Sequence, residues 1–326
     1  LPDKNRDQHL RYIGRESLPF TANFITRPIV DEYSKILLDI LEKQGAKVIR
    51  KAPRFDKIFL THDIDFLTNY RHLRGLIGGC KRNLSSLKGM MKVAHSLSSI
   101  ENDPAYTFQW MMEQDEKLKE ATCIYFIKSA VRAAKEDYPQ YSLSCNDFQH
   151  LFSFLKKNNA KFGLHASYYS GSAPERISQE KKKLESHTNI SITSNRWHFL
   201  RTIHSCDFEE LEKCGITDDF TMGYADIAGF RLGTSRAVKW INPRKMQVSN
   251  LTLHPLTAMD CTFSNSNYMN LCEEDAFQYI CKLLREVKKH NGEVVLLWHN
   301  TVFSTISETY SYHRNLYQRI ITNLCE

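Results

Sequence analysis

Lys57-Ile58-Phe59-Leu60-Thr61-His62-Asp63-Ile64-Asp65 opens as a β-prone apolar run and closes on two carboxylates. In extended chain, side chains two residues apart point to the same side, so Asp63 and Asp65 face one way together. Two later runs share this design. Lys161-Phe162-Gly163-Leu164-His165 ends in an imidazole, and so does Glu293–His299, whose Val294-Val295-Leu296-Leu297-Trp298 is the most apolar stretch of the chain. Each reads as a buried strand with a polar residue at its C-terminal end.

Between these strands lie helical patterns. Phe108–Ala121 reads as a helix leading into the strand Cys123-Ile124-Tyr125-Phe126-Ile127. Phe148, Leu151, Phe152 and Leu155 fall at the i, i+3, i+4, i+7 spacing of one buried face, and Phe277, Ile280, Cys281, Leu284 and Val287 mark another. A charged helix is expected at about 174–187 and a short β-prone run around 197–202. Alternating β and α elements imply a parallel sheet, open or closed into a barrel. In such folds catalytic groups gather at the C-terminal ends of the strands, where the loops converge. That is where Asp63, Asp65, His165 and His299 fall.

Two stretches read differently. In residues 1–54, Ile29–Gln44 is expected to form a helix with Leu37, Leu38, Ile40 and Leu41 turned inward. The whole segment reads as an N-terminal extension, or the tail of a truncated upstream domain, ahead of a catalytic domain at 55–326. Tyr70–Ser99 is rich in Gly, Ser and Lys with no clean period, and is expected to be a long excursion over the mouth.

Composition narrows the function. The 326 residues are 42% hydrophobic and 25% charged, enough to bury a large core. No run approaches the ~20 apolar residues that span a bilayer, and the start shows no signal peptide. Because it begins at Leu1, upstream sequence is open. Nine scattered cysteines form no CxxC pair, which excludes a zinc ribbon and points to free thiols in a reducing, cytoplasmic setting. The net charge of +7 is dispersed rather than striped, so nucleic acid is not an expected partner. The oligomeric state is left open.

Two carboxylates at a strand end can divide labour, one holding a cation and the other accepting a proton. Taken singly, they also read as a helix cap and a turn residue, and a lone His165 or His299 reads more simply as structural. Their order carries more information. Thr61–Asp65, Gly163–Ser167, Gly229–Thr234 and Leu296–Asn300 together resemble the successive signature segments of the polysaccharide deacetylases, the NodB-homology or carbohydrate esterase four family. The resemblance covers about 55–305 and is closest to a divergent branch. It implies a deformed (β/α) barrel and a metal-dependent hydrolase that removes an acetyl or other acyl group from an amino sugar of a glycan or glycan precursor. It further implies Asp63 as catalytic base, Asp65 and His165 as metal ligands, and Arg231 as the residue that orients the base. His299 becomes the general acid and Asp260 the carboxylate that polarises it.

The sequence departs from that family where a second metal histidine belongs, four residues after His165: Tyr169 stands there. A catalytic zinc ion normally takes three protein ligands. His198, in Arg196-Trp197-His198-Phe199-Leu200, is best placed to be the third, with His204 and His62 in reserve. Two other readings keep the fold: a glycan-binding protein without catalysis, for which Tyr169 speaks, and an amidohydrolase of a small non-sugar amide.

Overall fold

In the computed structural model, which describes residues 6–325, nine strands form one curled sheet. They are β1 (Lys57–Ile64), β2 (Thr122–Lys128), β3 (Lys161–Ala166), β4 (Ser194–Trp197), β5 (Asp218–Asp219), β6 (Val238–Asn242), β7 (Gln247–Leu253), β8 (Ala258–Met259) and β9 (Glu293–Leu297). Their order across the sheet is β6-β7-β5-β4-β3-β2-β1-β9-β8, and every neighbouring pair is parallel except the β6–β7 hairpin.

Closure follows from the connectivity. β7 and β8 lie toward opposite ends of this order, yet only His254–Thr257 separate them in the chain. One extended segment therefore joins both ends of the sheet. Its His254 N–H donates to Asp219 O beside β5, and its Thr257 N–H donates to Val295 O in β9. The result is a deformed (β/α) barrel, as the strand pattern implies.

Alternation along the strands builds two apolar regions. Phe59, Ile124, Phe126, Phe220, Val295 and Leu297 point inward and fill the barrel. Leu60, Tyr125, Ile127, Leu164, Val294 and Leu296 point outward and pack under the surrounding helices. Helix Asn146–Lys157 buries Phe148, Leu151, Phe152 and Leu155, the expected face. Helix Glu273–Lys289 buries Ile280, Cys281, Leu284 and Val287.

Four expectations are corrected. Tyr70–Ser99 is not a structureless excursion: it holds helices Leu73–Arg82 and Leu87–Ser96, the second capped by the Ser86 hydroxyl. The helix expected at 108–121 ends at Asp115. The run expected as a strand at 197–202 lies later than the strand itself. β4 ends at Trp197, and Phe199 and Leu200 then take left-handed backbone angles (φ 62° and 53°) that turn the chain sharply. Finally, helix Ile29–Lys43 forms, but Leu37, Leu38, Ile40 and Leu41 are 39–57% exposed rather than inward. What docks this helix is its polar start: the buried Asp31 carboxylate accepts from Thr234 Oγ1 and from Ser235 N and Oγ. Residues 1–5 of the expected extension lie outside the described residues.

Candidate active site

All the strand-end groups meet at the C-terminal mouth of the barrel. Phe59, Thr61 and Asp63 alternate into the interior of β1, and Asp65 follows just beyond the strand. β3 brings His165, β4 brings Arg196 and His198, and β9 leads to His299.

Asp63 is held from one side. Arg196 Nη1 donates to Asp63 Oδ1 at 2.9 Å, Nη2 to Thr61 Oγ1 at 2.8 Å and Nε to Phe220 O at 3.1 Å. The guanidinium is fully buried and stacks on Phe126, 4.5 Å from the ring centre. A rigid five-donor fork used in this way fixes a carboxylate's orientation. Asp63 Oδ2 remains turned toward His165 and His299, at 3.5 and 3.9 Å.

Asp65, His165 and His198 form a compact triad whose ligand atoms lie within 4.8 Å of one another, a possible metal site. His165 Nε2 and His198 Nε2 sit 3.3 and 3.5 Å from Asp65 Oδ1. The far ring nitrogens are occupied: His165 Nδ1 donates to Arg196 O, and His198 Nδ1 pairs with Asp137 Oδ1. Such outer bonds fix the tautomer that leaves Nε2 free to ligate. Among the described residues, neither of the buried atoms Asp65 Oδ1 and His165 Nε2 has a hydrogen-bond partner. Buried polar atoms are normally satisfied, and here two of them face one centre. Burial would raise the Asp65 carboxyl, but His198 and His165 outweigh it and hold it well below the usual carboxylate range. Burial likewise opposes a charged His198, whereas Asp65 and Asp137 raise its pKa.

Across the mouth stands His299. Its Nδ1 faces both oxygens of Asp260, at 2.9 and 3.1 Å, and its backbone N–H donates to the same carboxylate. Nε2 is left toward the centre, 3.7 Å from Asp65 Oδ2. Burial works against the imidazolium, but Asp260, then Asp65 and Asp63, push the His299 pKa up to about 10. Lys128, at the end of β2, donates to Asp137 O and Pro139 O, and burial lowers its pKa.

Arg231 is placed elsewhere. Its guanidinium donates to Gly223 O and lies beside Tyr12 and Tyr224, and Arg196 makes the contact with Asp63 instead. The Gly229–Thr234 stretch bonds residues ahead of β1 instead: Phe230 N–H donates to Ile25 O and Gly233 O accepts from Val30 N–H. Gly229 sits at φ 156°, and a Cβ there would lie 2.5 Å from Ile25 O. The signal for Arg196 was available, since it precedes His198 by two in a β-prone run. Tyr169 does not face the triad: its ring carries Arg132 at 4.8 Å and its N–H donates to Asp137. His62 is spent on Trp298 O and Asp115, and His204 lies outside the triad. A second cluster, Glu32, Glu286 and His290, sits away from the mouth. Its carboxylates are already paired with Arg27 and Lys289, which removes the charge a cation would seek.

A curled parallel barrel with carboxylates and imidazoles at its strand ends is thus the class that fold and site define. It is similar to the crystal structure of a protein assigned as a polysaccharide deacetylase from Mycobacterium smegmatis, at 12% identity over 86% of this chain and 87% of that one, with a TM-score of 0.52. A second solved structure, of Puue allantoinase, aligns at 10% identity over 84% of this chain and 88% of that one, with a TM-score of 0.49. The model of a family of unknown function, DUF7033, matches residues 1–46, ahead of the barrel. No curated protein matches the sequence.

Proposed function

We propose that the chain is a metal-dependent amide hydrolase that removes an acyl group, acetyl in the simplest case, from an amino sugar of a glycan or glycan precursor. One observation carries this reading: a clamped carboxylate, a triad with unsatisfied donor atoms and a carboxylate-backed imidazole face one another across a single mouth. The barrel shared with the assigned polysaccharide deacetylase supports the substrate class.

The residues fit a divalent ion such as zinc, because one carboxylate and two imidazoles complete the three protein ligands of a catalytic site. Held by Asp65, His165 and His198, that ion would supply Lewis acidity, making water more acidic and polarising the amide carbonyl. Asp63, fixed by Arg196, takes a proton from the attacking water through Oδ2. The C–N bond breaks as His299 Nε2–H delivers a proton to the departing nitrogen, giving a free amine and a carboxylic acid. Asp260 keeps His299 charged and aimed. An amide leaves poorly as its anion, so an acid opposite the base is required.

The test is amine release from N-acetylated amino-sugar oligomers by metal-loaded protein, with small ureides as the alternative substrates. Release from the sugars alone supports the reading. Activity only on ureides would replace its substrate, and stoichiometric absence of metal together with no release from either would remove it.

A further inference from the structure

The mouth is not built by the barrel alone. Residues 6–16 contact the loops that follow β3, β4, β5 and β8. Asp7 and Arg11 fold this segment on itself: Asp7 Oδ1 accepts from the N–H groups of His9 and Arg11, and Arg11 Nε donates to Asp7 Oδ2. The His9 ring packs against Phe199 at 4.8 Å between centres and hydrogen-bonds Tyr168 Oη at 3.2 Å. Farther along, the N–H groups of Gly14 and Arg15 donate to the Asp226 carboxylate.

Arg11 has the most specific position. It is 7% exposed, and its other two nitrogens reach further: Nη1 donates to Phe199 O at 3.1 Å, and Nη2, also paired with Asp7 Oδ2, donates to Tyr268 Oη at 2.9 Å. Phe199 immediately follows His198. Phe199 and Leu200 both hold left-handed backbone, each costing about 1–2 kcal/mol for a residue with a side chain. A turn of that kind persists only where its surroundings over-determine it. Inside the turn, Arg201 N–H donates to His198 O at 3.3 Å, longer than most such bonds. From outside, a buried guanidinium bonds the carbonyl of the first left-handed residue. His9 and Arg201 reinforce the same corner, since Arg201 donates to both His9 O and Tyr168 O.

We infer that the Asp7–Arg11 turn is a working wall of the active site and that Arg11 is a positioning residue, holding the His198–Leu200 turn so that His198 Nε2 stays in the triad. The inference rests on the metal-site reading above. It makes the N-terminal segment part of the catalytic unit.

The experiment compares full-length wild type, Arg11→Ala, Arg11→Lys and Arg50→Ala. Zinc affinity is measured by chelator competition, the visible spectrum is taken with cobalt in place of zinc, and amide exchange is followed at residues 198–203. Arg11→Ala should weaken zinc by about 10–100-fold, the usual cost of losing a residue that orients a ligand. It should also alter the cobalt spectrum and speed exchange at 198–203 without speeding it in β1–β3. Lysine offers one point charge in place of the three-way fork and should restore little. Arg50→Ala, whose exposed side chain pairs with Asp39 and Glu42, should match wild type. Unchanged zinc affinity and unchanged exchange in Arg11→Ala would overturn the inference, as would exchange that rises equally everywhere. A wild type that binds neither metal would instead sink the metal-site reading. The exchange data would then still decide whether Arg11 holds the turn.

Discussion

Asp63 has one oxygen committed to Arg196 and the other facing the centre, the posture that its proposed role as base requires. Asp63→Asn keeps the Arg196 bond through its amide oxygen and removes only the basicity. Turnover should fall by about 10²–10⁴ with metal content intact. If Asp63→Asn strips the metal while Asp65→Asn keeps it, the two carboxylates have the opposite roles. His299 makes a second prediction. Its pKa lies near 10 because, against burial, Asp260 leads the groups that raise it. The imidazolium therefore persists through neutral pH, and activity should decline only as pH climbs past its pKa. A bound cation offsets the contributions of Asp65 and Asp63, so that alkaline limb belongs somewhat below 10. Asp260→Asn should move it further down and lower the rate at neutral pH. A limb that stays in place in Asp260→Asn would show that another group sets it.

At the scale of elements, one imidazole bridges the barrel seam. His254 sits where β7 hands over to β8. Its Nδ1 pairs with Glu293 at the start of β9 and its Nε2 with Asp218 in β5, at 2.7 and 3.0 Å, while its ring stacks on Phe220 at 4.2 Å. Burial lowers its pKa, but Asp218 and Glu293 prevail and raise it to about 9. A raised pKa stabilises the fold fully below the unfolded value of about 6.5, and the benefit is lost as pH rises through about 9. The native barrel should thus lose on the order of 3 kcal/mol between those limits. His254→Gln should be less stable at pH 6 and should flatten that slope in denaturant titrations at several pH values. An unchanged slope would mean the seam is held by its backbone bonds. The seam also shows what the sequence conceals. β1, β3 and β9 were legible because each apolar run ended in polar groups. β5 and β8 were not, since two residues give no period and their pairing is decided by partners far along the chain. Asp63, Asp65, His165 and His299 could be read from their strand ends, and His198 from a β-prone run. Arg196 was passed over although it alternates with His198, because the charge of an arginine inside a barrel is matched by Asp63, 133 residues earlier. Helix Ile29–Lys43 misled for a related reason, as its docking runs through Asp31 rather than its leucines.

For the whole molecule, the proposed metal site, drawn from the ends of three strands, would also be a stability device. Asp65, His165 and His198 are far apart in the unfolded chain, so an ion that binds only the native arrangement stabilises it by mass action. At a free concentration 100 times its dissociation constant the gain is about 2.7 kcal/mol. In a chain of this size that corresponds to a rise in Tm of a few degrees. Zinc should raise Tm, chelation should reverse it, and His198→Ala should abolish the response. Tyr169→Phe should keep the response, because Tyr169 is turned toward Arg132. The effect must also depend on pH. Without an ion, Asp65 and Asp137 favour protonated His198, so an imidazolium supplies the positive charge the carboxylates require. Ligation demands the neutral ring, and zinc must therefore displace that proton. A pKa raised in the free protein makes the displacement harder as pH falls through it. The zinc-induced shift in Tm should shrink on the acidic side and grow toward neutral and mildly alkaline pH, with proton release measurable by titration calorimetry in buffers of different ionisation enthalpy. A shift of constant size from pH 5.5 to 8.5 would mean that the ion does not compete with the His198 proton and sits outside this triad.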